Sequence, residues 1–129
     1  MKSKWLASLV ACALFSGGTL LAHHSFAGTY VEDKLMTIEG VLVEFNIRNP
    51  HSYVLVEVTE KDGKTKTKWG CEWGGVTQLT ESNVNRFTLK SGDKVIITGA
   101  PGRDPADHRL LLRSLDRPAD KYHWGGTVR

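Results

Sequence analysis

Two runs of alternating apolar and polar side chains meet at Asn49-Pro50-His51. Val41, Val43, Phe45 and Ile47 fall on one side of the first run, and Val54, Val56 and Val58 on one side of the second. Successive side chains of a strand point to opposite faces, so runs of this kind are half-buried strands. Asn and Pro supply the reversal between them. The chain is thereby committed to antiparallel sheet, and His51 is placed where it turns back. Within the first run the parity slips. Met36 and Ile38 share one side, Val41 to Ile47 the other, and Gly40 stands between. That predicts a bulge at Gly40, which lets one long strand change the face it buries.

The segments that follow continue the pattern. The first strand spans Leu35 to Ile47 and the second His51 to Glu60, ahead of an Asp62-Gly63 hairpin turn. In the third, Thr65 to Trp73, Trp69, Cys71 and Trp73 share one side and Lys64, Lys66 and Lys68 the other, a solvated face. Gly74-Gly75 ends it, and Val76 to Val84 is the one candidate helix. Lys94 to Gly99 and Arg109 to Leu115 read as the last two strands, around a loop with Pro101, Gly102 and Pro105. Three strands, a short helix and two strands is the order of an OB-like five-stranded Greek-key β-barrel, an all-β fold with one short helix. The barrel is expected over residues 35–116, after an N-terminal arm at 23–34 and before a loosely held polar tail at 117–129.

Residues 1–22 read as a signal peptide: Lys2 and Lys4, an apolar run from Trp5 to Phe15, then Leu20-Leu21-Ala22 before a cut. The expected location is periplasmic or secreted. Leu9-Val10-Ala11-Cys12 offers an alternative, lipoprotein processing at Cys12, but the residues after it stay apolar where a lipoprotein linker is polar. The formal charge of the 129-residue chain is +3, and both lysines of the leader depart with it, leaving 15 basic against 14 acidic residues. That balance provides no field for nucleic acid. Cys71 then has no partner for a disulfide and reads as a buried apolar residue.

Phosphate loops, Cys-x-x-Cys, His-Glu-x-x-His and Gly-x-Ser-x-Gly are all absent from the sequence, and no two carboxylates have a pairing spacing. The reading is therefore of a binding module, not an enzyme. Its candidate donors are histidines. A cut after Ala22 makes His23 the first residue, whose amine and imidazole can chelate one cation together, and such nitrogen donors favour copper. A further nitrogen would come from His24, His51 or His108; the last two lie in loops expected at one rim of the barrel. Asp104 and Asp107 could supply oxygen ligands or orient an imidazole. The bland alternatives are a polar start for His23-His24, a turn role for His51 and an exposed loop position for His108. His123 belongs to the expected tail.

Tyr53, Trp69 and Trp73 suggest a different use. The tryptophans fit the core, in line with Cys71 and alongside Val41, Val54 and Ile97, or they form with Tyr53 a platform for an oligosaccharide or other small ligand. A third possibility is an adaptor that presents a sheet edge to another envelope protein.

His23-His24-Ser25-Phe26-Ala27, Gly40-Val41, Asn49-Pro50-His51, the Trp69 to Glu72 segment and the run from Leu89-Lys90-Ser91-Gly92-Asp93 to Gly99 together resemble a family of short exported bacterial proteins. That family carries only a domain-of-unknown-function label. The resemblance covers nearly all of the chain after the leader and implies a small periplasmic barrel, with a cut before His23. It brings no activity, substrate or site residue. The chain departs from the family pattern at Asp104-Pro105-Ala106-Asp107-His108, which is more acidic.

Overall fold

The computed structural model describes residues 26–129, so the leader, Cys12, His23 and His24 lie outside the described residues. After a single turn of helix, α1 (Phe26–Thr29), come β1 (Met36–Asn46), β2 (Tyr53–Thr59), β3 (Lys66–Glu72), the short helix α2 (Val76–Glu81), β4 (Lys94–Pro101), a 3-10 turn (Pro105–Asp107), β5 (Arg109–Arg117) and β6 (Tyr122–Gly125). Antiparallel pairs join β1 to β2 and β4, β2 to β3, and β4 to β5, and a parallel pairing of β3 with β5 closes the ring. This is the expected five-stranded barrel with one short helix between its third and fourth strands.

Closure demands that β1 serve two neighbours. Its first half, Met36 to Val41, pairs with β4, and its second half, Val41 to Asn46, with β2. The expected change of face occurs, but not at Gly40. Leu42 pairs with Val56 and Glu44 with Leu55, which leaves Val43 as the extra residue. Ile38 and Leu42 are therefore buried before the bulge and Phe45 packs on the core after it, while Val41 and Val43 are 39% and 36% exposed. Val41 is thus not a core residue. Gly40 has another reason: a Cβ there would run into the Glu57 carbonyl and the Val56 side chain, so its absence lets β1 lie close on β2. A second bulge repeats the device in β5. Ser114 pairs with Thr98 and Leu112 with Gly99, so Arg113 is skipped and Leu115 takes the inward position after Leu110 and Leu112.

The barrel interior is filled by Leu42, Val54, Val56, Cys71, Trp73, Ile97, Leu110, Leu112 and Leu115, all essentially inaccessible, with Leu79 of α2 closing one end. The reading of 117–129 as a loosely held tail is corrected. β5 runs on to Arg117, β6 pairs along it, and Trp124 and Val128 are buried. Trp124 meets Trp73 edge to face at 5.0 Å, an arrangement that the charge distribution of aromatic rings favours. Among the described residues no helix is long and apolar enough to cross a membrane.

Candidate functional site

The closure seam between β3 and β5 builds the site. Gly70 pairs with Arg109, Cys71 with Leu110 and Glu72 with Leu111. Cys71 points into the core, where burial pushes its thiol up to about 12 and leaves it a packing residue. Gly70 and Glu72, one position either side, take the outer face of the seam by strand alternation. Across the sheet, Tyr53 pairs with Glu72.

Glu72 is a hub. Its Oε1 lies 2.7 Å from His51 Nδ1, and its Oε2 accepts the Tyr30 hydroxyl at 2.6 Å. An acceptor at Nδ1 makes that nitrogen the protonated one, so the lone pair of a neutral His51 sits on Nε2. The imidazole is held from behind as well, because the Phe26 ring lies 4.9 Å from it.

The corner that carries His51 is anchored at several points. The Asn49-Pro50 peptide is cis. The Asn49 side chain accepts the Val76 N–H at the start of α2, at 2.9 Å. Ser52, fully buried, exchanges backbone hydrogen bonds with Gly74 and Trp73, and its hydroxyl bonds the Arg48 backbone. Gly75 keeps the space clear, since a Cβ there would meet the Pro50 carbonyl at 2.5 Å.

Tyr30 brings the N-terminal arm to the same place. It bridges Gly102 at the end of β4, Val31 N–H donates to the Pro101 carbonyl, and Arg103 N–H donates to Thr29. The side chain is 1% exposed. Burial, reinforced by the Glu72 hydrogen bond and charge, holds its hydroxyl far above the ordinary tyrosine value, so Tyr30 stays a neutral donor.

In front of this cluster opens a cleft of about 430 Å³, lined also by Arg48, Tyr53 and Arg109. Tyr53 lies across Gly70, where any Cβ would collide with its hydroxyl. Burial raises the Tyr53 pKa as well. The Arg109 guanidinium forms no ion pair among the described residues and leaves positive charge at the cleft edge. A fixed imidazole with a free Nε2, beside two phenols and a cation, can bind a metal ion or hydrogen-bond a small polar ligand.

The residues expected from the sequence are dispersed differently from that reading. His51 and Tyr53 share the cleft. His108 does not join them: it lines a separate cleft, edge-on to Trp69 at 5.2 Å. The seam residue Arg109 stands in the lining of both clefts. Trp73 has no exposed face and cannot serve as a platform. Asp104 caps the 3-10 turn by accepting the Ala106 N–H at 2.9 Å. His123 pairs with Asp116 at 2.6 Å on β5. Among the described residues no three His, Cys, Asp or Glu side chains come together as a metal site.

Glu72, Tyr30 and Arg109 carry the site and were not singled out as site residues by sequence. A carboxylate between the apolar Cys71 and Trp73 at a strand end was the available sign for Glu72.

A family model matches residues 10–111. The chain belongs to the DUF6152 family of unknown function. Among curated proteins nothing matches it. The span matched by the DUF6152 model takes in Tyr30, His51, Tyr53, Glu72 and Arg109, so the whole cluster falls inside the family domain; β6 falls outside it.

Proposed function

We propose that this protein is an exported, non-enzymatic binding module that holds a copper ion between His51 and the mature N-terminus. One observation carries the reading: the Phe26 ring packs on the His51 ring. Phe26 stands three positions after His23, a span of at most about 11 Å. Cleavage after Ala22 would thus tether the terminal amine and imidazole of His23, with His24 beside them, within reach of His51 Nε2. The Glu72 carboxylate behind Nδ1 is the outer partner that metal-bound imidazoles commonly have. His108, in the other cleft, is left out of the donor set.

The protein recovered from the periplasm should begin with His23 and take up one equivalent of Cu(II). Its electron paramagnetic resonance spectrum should carry nitrogen couplings, one of which is lost in His51→Ala. A form with one extra residue before His23 should bind far more weakly. A first residue other than histidine, or a copper spectrum identical with and without the His51 ring, overturns the proposal.

Tyr53 and Arg109 at the cleft edge favour a second reading, a small-ligand binder using the same cleft without metal. Metal-independent quenching of tryptophan fluorescence by the ligand, abolished in Tyr53→Ala, would select it.

A further inference from the structure

A second cleft, of about 480 Å³, also borders Arg109 and is not used by the reading above. Its walls are mostly apolar: Val31, Met36, Pro101 and Pro105 surround the half-buried Trp69, whose ring meets His108 edge-on. Three cations stand around it, Lys34, Arg103 and Arg109, against two carboxylates, Glu60 and Asp104. One of those carboxylates is engaged, because Asp104 caps the 3-10 turn. The cations are not neutralised: none of the three forms an ion pair among the described residues. Arg103 is held by donation from Nε to the Ala27 carbonyl at 2.7 Å. Gly102 makes room for the Arg109 stem, since a Cβ there would meet Arg109 Cγ at 2.7 Å. His108 holds a left-handed backbone, φ 45°, which a residue with a Cβ seldom adopts and which sets its ring beside Trp69.

We infer that this cleft is a binding site for a small organic anion, a planar apolar ring bearing a carboxylate. The ring takes the place of water against Trp69 and the proline walls, and the carboxylate faces the unpaired cations. Apolar walls with a few convergent charges are the usual make-up of a small-molecule site. The net positive lining selects against the corresponding amine. The inference does not depend on copper or on His51.

Titration of the folded, 15N-labelled chain with 1-naphthoate tests it by NMR. Saturable shifts are expected at the Trp69 indole N–H, Gly102 and the His108 amide. The neutral 1-naphthylmethanol should bind roughly tenfold more weakly, the difference a charge-assisted contact makes. Glu60→Gln removes the opposing charge and should tighten naphthoate binding by roughly two- to fivefold. His108→Gly keeps the left-handed backbone while deleting the ring, so it should fold and bind weakly; His51→Ala should bind as the parent does. Absence of saturation, equal binding of 1-naphthylmethylamine, or loss of binding in His51→Ala overturns the inference.

Discussion

His51 and Glu72, 21 positions apart in sequence, meet at 2.7 Å where the barrel closes on itself. The cluster of His51, Glu72 and Tyr30 draws on three features of the fold. The corner must turn His51 back over the sheet, β3 must end with Glu72 facing outward, and the arm must deliver Tyr30 to the second carboxylate oxygen. The β2–β3 hairpin register, which sets Tyr53 opposite Glu72, brings the pair itself together. The cluster thus ties the N-terminal arm to the end of the β2–β3 hairpin.

The first prediction concerns that hub. Tyr30→Phe removes one hydrogen bond to a carboxylate and should lower stability by about 1–2 kcal/mol in urea denaturation. Glu72→Ala should cost more, about 2–3 kcal/mol, because the buried Tyr30 hydroxyl then has no acceptor. Imidazole 15N spectra at neutral pH should show His51 protonated at Nδ1 in the parent and a mixture of tautomers in Glu72→Ala. An unchanged tautomer would mean that Glu72 does not orient the ring.

A second prediction follows from Arg117, whose guanidinium spans Asp93 at 2.7 Å and Asp120 at 2.8 Å and also donates to the Thr88 carbonyl. Burial alone would raise the Asp93 carboxyl, but the Lys90 N–H and Arg117 outweigh it and hold Asp93 below the usual aspartate value. A carboxyl depressed by folding contributes stability that is complete above its unfolded pKa, about 4, and is lost as pH falls through the folded value. Stability should therefore decline below about pH 4. Asp93→Asn should flatten that decline while lowering stability at pH 7 by about 2 kcal/mol. A parallel acid limb in parent and variant would assign the loss to other carboxylates.

The strands were legible because alternation is a property of each strand alone. Trp73, Cys71 and Val54 disclosed their core role by parity. The bulge in β1 was legible as a slip of parity but not in its position, and the one in β5 not at all: one unpaired residue at Val43 or Arg113 leaves no mark that composition can show, and Gly40 drew attention because glycine has several structural uses. β6 is four residues long, too short to display a period, and its burial depends on Trp124 reaching Trp73 from 51 positions away. His51 stood out as an imidazole at a corner. Its partners did not, since Tyr30 and Glu72 are brought together only by the parallel closure of β3 on β5 and the docking of the arm.

The close passage of Tyr53 over Gly70 gives a third prediction. A methyl group at position 70 overlaps the Tyr53 hydroxyl, so Gly70→Ala must displace the ring from the cleft. The expected cost is about 1–3 kcal/mol, the range for overpacking. Tyr53→Ala alone should be milder, and the double variant should recover most of the loss, a coupling visible in a double-mutant cycle. Additive losses would show that the strain lies in the β3 backbone instead.

The last prediction separates a docked C-terminus from a passive one. Trp124 is 6% exposed, stacks edge-on to Trp73 and pairs through its backbone with Leu115. Val128 is buried too, and Gln78 of α2 donates to the Thr127 carbonyl at 2.7 Å while accepting the Arg129 N–H. Trp124→Ala should therefore cost about 3–5 kcal/mol, the range for emptying a buried tryptophan position. Removal of residues 118–129 should cost at least as much, because it also strips Asp120 from Arg117 and opens Leu115 and Trp73 to water. Amide exchange gives the check in the intact chain: the Trp124 N–H should be protected to the same degree as strands β4 and β5. Exchange at Trp124 as fast as in an exposed loop would return this segment to a tail.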